Sequence, residues 1–282
     1  MRTRCSKSHK SSRLRSKVHI KDMLDVIFRS CDHSDVHPER GRRFIDVDRP
    51  TLVKKCFKSL LTSVKASEYD AKIWIVDDGS SDATLDFMID SCKSADVPME
   101  LSRLSEGGYN ASALRQFEMC RDHGRKWVYS VEDDYLHEPE AIKSMVEHAE
   151  SMSFRFGRHV AIRPDDDVFT YSHNTIYSRS PCMIVMGKDR HWRTLHSTHN
   201  TFMTHVDVFR EYWELFASLA KFFRKTTVNE DGTINTIWGD GASKDGPVPL
   251  FSPIPTLAIH ISQNNQPHLV DYMRLWDSME ID

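Results

Sequence analysis

Runs of neighbouring carboxylates mark this chain, among them Asp77-Asp78, Glu132-Asp133-Asp134 and Asp165-Asp166-Asp167. Like charges a few ångström apart raise one another's pKa and disfavour the ionised form. A hard divalent cation relieves that repulsion, and carboxylate oxygens suit Mg2+ or Mn2+. Such ions also keep positions for phosphate oxygens. The chemistry on offer is therefore a metal that holds a diphosphate. A solvated acidic turn is the plainer reading of any one run. Placement in the fold decides between them.

Residues 24–29 (LDVIFR) read as a buried strand, and residues 30–49, rich in His, Asp and Arg, as a loop. Pro50 suits a first helical position, and Leu52, Val53, Cys56, Leu60, Leu61 and Val64 recur at helical spacing. Residues 72–76 (KIWIV) predict a strand that runs into Asp77-Asp78-Gly79-Ser80-Ser81-Asp82, a turn and helix-cap sequence. A helix over 84–93, a strand over 99–104 and a turn at Gly107-Gly108 follow. A helix over 111–123 is expected to close on Gly124 as a C-cap, and a strand over 127–131 ends in Glu132-Asp133-Asp134. This β-α-β-α-β-α-β order predicts a parallel sheet covered by helices. Ligands of such sheets bind beyond the carboxyl ends of the strands. The first two acidic runs fall there.

The second half is less regular. Residues 159–163 and 201–204 predict strands, and 206–224 one long helix. Its aromatics, Phe209, Tyr212, Trp213, Phe216, Phe222 and Phe223, read as core. Asn229 is expected to cap a helix starting at Glu230. Four prolines in 247–255 demand an extended or turned path, and 257–261 (LAIHI) predict a last strand.

Composition narrows the class. The chain has 282 residues, 39% of them hydrophobic and 28% charged, enough apolar material for a core and too much for a disordered chain. A net charge of −3 argues against a dedicated nucleic-acid binder. No apolar stretch approaches the roughly 20 residues of a membrane span. The cations from Arg2 to Lys17 have no acid among them and no apolar segment after them. They read as a disordered basic tail over 1–19 that could touch an anionic surface, not as a signal peptide. Six scattered cysteines without a CxxC pair fit neither a zinc ribbon nor a disulfide scaffold. A reducing, cytoplasmic setting is the expectation.

The run KIWIVDDGSSDATL (72–85) resembles the nucleotide-binding strand of GT-A glycosyltransferases, in its family-2-like form. Val131-Glu132-Asp133-Asp134 resembles their later DxD strand end, with Pro139 at a familiar offset. Its EDD form is similar to that of the Golgi N-acetylglucosaminyltransferases that begin N-glycan branching. GGYNASALRQ (107–116) resembles the family's glycine-led helix start, with Arg115 in the arginine position, and RPTLVKKCFKSLL (49–61) resembles its first helix. The likeness covers about residues 22–145. Departures are the long insertion at 30–49, Glu132 for the usual first Asp, and Tyr135 where many members carry an acid.

The resemblance implies a GT-A, Rossmann-like α/β fold. It has a mostly parallel central sheet flanked by helices and a C-terminal acceptor-side part. Residues 20–282 would form a single catalytic domain, with a nucleotide-sugar-binding half over 20–145 and an acceptor-binding half over 146–282. Asp77 or Asp78 would meet the uracil or ribose and Arg115 the diphosphate. Glu132 would face the ribose or a metal-bound water, and Asp133 would lie beside it. Asp134 would ligate Mn2+ (or Mg2+), joined by His260, with His268 as the other candidate. The donor would be a UDP-sugar of the UDP-glucose or UDP-GlcNAc type. The acceptor would be a glycan, a lipid-linked group or a small molecule. An inverting enzyme needs a carboxylate to deprotonate the acceptor hydroxyl. Glu230 or Asp231 is the expected base, with Asp207 a further option.

Asp165-Asp166-Asp167 comes too late for the metal motif and reads as an acceptor-side loop. Arg179, Arg190, Trp192 and Arg193 could clamp a diphosphate or stack on sugar from the loop 172–200, and Trp238 and Trp276 could stack or simply pack. Two rivals remain in view. A sugar-1-phosphate nucleotidyltransferase needs a glycine-rich phosphate loop after the first strand, where SCDHSDVHPERGRR has one glycine. A non-catalytic nucleotide-sugar or glycan-binding protein on the same fold would have no need of the acidic motif.

Overall fold

The computed structural model describes residues 23–33, 45–105, 107–166, 171, 182–222, 230–239, 246–261 and 270–281. Strand β1 (Met23–Ser30) lies between β2 (Asp70–Asp77) and β4 (Trp127–Glu132), parallel to both, and β3 (Met99–Arg103) extends β2 in parallel. Alternate side chains of these strands serve two cores. Leu24, Val26, Phe28, Ile73 and Ile75 pack under helices α1 (Arg49–Ser67), α2 (Asp82–Ser94) and α4 (Ala141–Phe156). Ile27, Val76 and Val128 pack under α3 (Tyr109–His123), α5 (Val206–Glu211) and α6 (Trp213–Phe222). Burial on both faces is why the strands read as continuous apolar runs.

Local chemistry sets the helix starts. Asp48 caps α1, its side chain accepting from the Thr51 amide at 2.8 Å, and Pro50 occupies the first turn. At the other end of α3, Gly124 is not a left-handed cap: its φ and ψ are −59° and 130°. Glycine fits there because a Cβ would lie 2.5 Å from Val128 Cγ2 and 2.6 Å from the Cys120 carbonyl.

Beyond β4 come β5 (Tyr135–His137), β6 (Ala161–Ile162), β7 (Ile184–Met186), β8 (His191–Leu195) and β9 (Phe202–His205). Strands β10 (Trp238–Gly239), β11 (Val248–Ile254) and β12 (Ala258–His260) and helix α7 (Tyr272–Asp277) complete the described elements. The main sheet runs β3-β2-β1-β4-β9-β6-β11-β8-β7, with β10 beside β11, and turns antiparallel at β9. A small second sheet pairs β5 with β12. The parallel, helix-flanked half matches the expected α/β class.

Two expectations change. The strand over 159–163 shrinks to the two residues of β6. The helix over 206–224 breaks at Tyr212 (φ −104°, ψ 24°) into α5 and α6. Residues seven apart in an unbroken helix sit about 10.5 Å apart along the axis. The break brings the Phe209 and Phe216 rings to 4.8 Å, and both are buried as core. The basic tail, Phe223, Arg224 and Asn229 lie outside the described residues, as does most of the 30–49 insertion. No described helix is long and apolar enough to cross a membrane.

Candidate active site

Connections from β1 lead to β2 on one side, whereas α3 returns the chain to β4 on the other. The carboxyl ends of β1 and β4 therefore flank a topological switch point, where open α/β sheets bind ligands. Glu132, Asp133 and Asp134 end β4 at this point, and each takes a different partner.

Glu132 is the register partner of Arg29 on β1, and the two side chains form an ion pair. The Arg29 guanidinium also lies 4.7 Å over the Tyr109 ring and faces Ser112 Oγ at 3.4 Å. Burial works against its charge, but Glu132 holds the Arg29 pKa above the ordinary value. The Glu132 amide donates to Thr201 Oγ1 at 3.1 Å.

Asp133 points elsewhere. Its Oδ2 accepts from the Cys31 amide at 2.7 Å, and its Oδ1 pairs with Arg49, which also donates to the Cys31 carbonyl at 2.9 Å. Against burial, Asp133 and then Asp134 raise the Arg49 pKa. Asp133 thus ties the end of β4 to the end of β1 and the start of α1. Both of its carboxylate oxygens are engaged by these partners.

Asp134 meets His260. The antiparallel β5–β12 pair places His260 opposite Tyr135, with the rings stacked at 4.7 Å and 4°, and the Ile261 amide donates to the Asp134 carbonyl at 2.8 Å. His260 Nε2 then stands 3.3 Å from Asp134 Oδ2. Burial would lower the imidazole's pKa, but Asp134 raises it to about 9. Two ligands of one octahedral cation, each at about 2.1 Å, lie about 3 Å apart. In the folded chain this contact is an ion pair, and the same carboxylate oxygen and imidazole nitrogen would suit a divalent cation once the imidazole has given up its proton. The alternative His268 lies outside the described residues.

Asp77 and Asp78 shape the turn after β2. Asp77 is fully buried, and its Oδ1 accepts from the Ser80 amide at 3.0 Å. Both oxygens of Asp78 accept from the Gly108 amide, at 2.8 and 3.0 Å. Gly108 has φ +119°, which favours glycine, and a Cβ on Gly107 would sit 2.5 Å from Asp78 Oδ1. Arg115 lies apart from the β4 acids. It donates to Ser102 Oγ at 3.1 Å and lies 3.7 Å from Glu118. The arginines at the acid cluster are Arg29 and Arg49.

Glu230 and Asp231 sit in a turn that leads into a 3-10 helix (Ile234–Thr236), not at the start of an α-helix. The Glu230 carbonyl accepts from the amides of Thr233 and Asn235, at 3.1 and 2.9 Å. Asp231 Oδ1 accepts from the Asn235 side chain at 3.0 Å. Asn235 Oδ1 in turn accepts from the Thr198 amide at 3.1 Å, which docks this turn on the loop before β9. There His199 Nδ1 lies 3.8 Å from Glu230 Oε1, and the Asn200 side chain donates to the Tyr109 hydroxyl at 2.6 Å.

The remaining candidates fall away from this centre. Asp165 is chelated by Arg163, and Asp166 accepts from Arg193 at 2.5 Å and Tyr171 at 2.7 Å, so these acids are already neutralised. Asp207 lies beside His205, which pairs with Trp127 at the opposite end of β4. His159, His205 and Asp207 cluster there, but the two rings stack at 4.0 Å and 6°. Their in-plane lone pairs run side by side and do not converge on one cation. Trp192 and Trp238 are buried in the core, Trp276 packs beneath Lys55, and Arg190 donates to the carbonyls of Pro255 and Thr256. Asp167 and Arg179 lie outside the described residues.

Arg29, Arg49, Tyr109, His199 and Asn200 were not singled out as site residues by the sequence reading. Arg29 carried a signal: in a parallel strand it shares a face with Ile27 and stands at the carboxyl end, where a cation is not needed for the core. Arg49 and Asn200 carried none, because their partners are distant in the chain.

The sequence matches the family described as Glycosyl transferase family 2 over residues 48–213, more than half of the chain. No match is found among curated proteins. Among solved structures the fold is similar to S. aureus TarS 1–349, with 13% identity and a TM-score of 0.44, covering 71% of this chain and 56% of that one. The same TarS fragment in complex with UDP-GlcNAc gives 13% identity and a TM-score of 0.41, over 71% and 54%. The galactosyltransferase LgtC, in complex with donor and acceptor sugar analogues, gives 8% identity and a TM-score of 0.40, over 73% and 67%. The chain thus spans little more than half of the TarS fragment. The family match covers α1 through β9, the stretch that carries Arg49, Glu132, Asp133 and Asp134, and on that match the chain belongs to glycosyl transferase family 2.

Proposed function

We propose that residues 20–282 act as one catalytic domain that moves a sugar from a UDP-sugar, of the UDP-glucose or UDP-GlcNAc type, to an acceptor hydroxyl with inversion. The observation that carries this reading is the 3.3 Å approach of His260 to Asp134 at the switch point. Asp134 and His260 would hold Mn2+ or Mg2+, and the bound cation would stabilise negative charge on the departing diphosphate. Asp77 and Asp78 organise the turn at the nucleotide end and pin the glycine pair before α3. Glu132 is held in place by Arg29 at the ribose end. The acceptor hydroxyl loses its proton at the Glu230 side of the site. The donor class rests on the likeness of residues 72–85 and 131–134 to other GT-A enzymes.

The test is UDP release from a panel of UDP-sugars with Mn2+, Mg2+ or EDTA, for the wild type and Asp134→Ala. Release that requires both metal and Asp134 supports the reading and names the sugar. Release that is indifferent to EDTA and to Asp134 overturns the metal assignment. UDP binding without turnover of any sugar would instead make the chain a binding protein.

A further inference from the structure

We propose that His199 takes the acceptor's proton and that Glu230 orients it, a proposal that rests on the transferase reading above. His199 Nδ1 faces Glu230 Oε1 at 3.8 Å. With Nδ1 turned towards the carboxylate, Nε2 on the far side of the ring faces away from Glu230. This is the arrangement of a base held by a third group. The His199 side chain is 53% exposed and Glu230 24%, so the imidazole is the more open of the two to an incoming molecule. A separation of 3.8 Å exceeds a hydrogen bond, but acid–base contacts are often long before substrate binds.

The chain on either side of His199 is anchored. The Thr198 amide is held by Asn235, which belongs to the Glu230 turn. On the other flank, the Asn200 carbonyl accepts from Ser130 Oγ at 2.8 Å and its side chain reaches Tyr109. Thr201 Oγ1 accepts from the Glu132 amide. Residues 198–201 therefore bridge the base turn and the β4 end that carries the acid cluster. Against its burial, Asp165 is held low by Arg163 first, and also by His260 and His199, which places both imidazoles within electrostatic reach of one carboxylate.

In the step, the acceptor O–H gives its proton to Nε2 as the oxygen bonds to the anomeric carbon. The bond from that carbon to UDP breaks, and the diphosphate leaves with the electron pair. His199 becomes an imidazolium beside Glu230 and returns the proton to water.

The experiment measures transfer from UDP-glucose and UDP-GlcNAc to methyl glycosides, with UDP affinity by calorimetry as the check on folding. His199→Ala should lower kcat by roughly 10²–10⁴-fold and leave UDP affinity unchanged. Added imidazole should restore transfer to His199→Ala but not to Asp134→Ala. Glu230→Gln should cost less than His199→Ala and gain nothing from imidazole. A His199→Ala loss that imidazole does not restore, with UDP binding intact, would overturn the proposal. So would a Glu230→Gln loss larger than that of His199→Ala, because Glu230 would then be the base. Wild-type protein that binds UDP and transfers nothing overturns the transferase reading itself, a result distinct from either.

Discussion

Arg29 and Glu132 are register partners on neighbouring parallel strands, and their side chains close into an ion pair on the face that α3 covers. Both side chains are mostly buried. Removing one partner of such a pair strands the other charge, which costs roughly 3 kcal/mol. Arg29→Met should lower stability by about that amount in urea titrations. The double variant Arg29→Met, Glu132→Gln should recover part of the loss, since neither charge is then stranded. A double variant as unstable as the sum of the singles would remove the pair from this account.

The metal assignment predicts a binding effect that needs no turnover. His260→Ala and Asp134→Asn should each weaken Mn2+ binding about tenfold or more, read by titration in the presence of UDP. Asp133→Asn should act on stability instead, because its oxygens serve Cys31 and Arg49. Equal Mn2+ affinity in wild type and His260→Ala would remove His260 from the site.

Gly107→Ala pushes a methyl group against Asp78 Oδ1 at 2.5 Å. Relief requires the carboxylate to leave the Gly108 amide. Overpacking of this kind costs about 1–3 kcal/mol, and UDP affinity should fall with it. Gly108→Ala should also be harmful, through its φ of +119° and not through a clash. Calorimetry with UDP and a thermal melt separate the two effects.

Acid should destabilise the fold through two histidines. Burial lowers the pKa values of His137, bonded to the Tyr129 hydroxyl at 2.7 Å, and His148, stacked on Trp192 at 4.0 Å, to about 3. The unfolded chain protonates both below about 6.5, whereas the native state does not until about 3. Stability is thus full above pH 6.5 and falls as pH drops from there towards 3. At pH 5 the loss is about 2 kcal/mol for each group. Urea midpoints at pH 7 and pH 5 test this, and His148→Phe should remove about half of the difference.

The parallel half of the fold was legible because its strands are buried on both faces. An apolar run such as Ile73–Val76 ends where the polar residues begin, so strand ends and the acids on them can be read directly. Leu257–Ile261 yielded to the same logic. The antiparallel half did not. The two residues of β6 leave no pattern, and the order β9-β6-β11-β8-β7 is not sequential. The bend at Tyr212 also escaped, because a helical repeat of aromatics is the same on both sides of it. At the site, side chains that bond locally could be anticipated, as with the Asp77 turn. The clamps of Arg49 on Asp133 and of Asn200 on Tyr109 join segments far apart, and no spacing rule reports them.

The pairing of β12 with β5 has a consequence for the order in which the protein comes into being. His260 reaches Asp134 only after the strand that carries it has been made and has folded back on Tyr135. A ribosome that has released residues up to Ile254 has exposed a complete β1–β4 layer with its acid cluster but without its imidazole. Asp134 therefore stays without its imidazole partner until the last described strand arrives. A protein stopped short of Ala258 would keep the acids that end β4 but lack both the β5 partner strand and the Asp134–His260 pair.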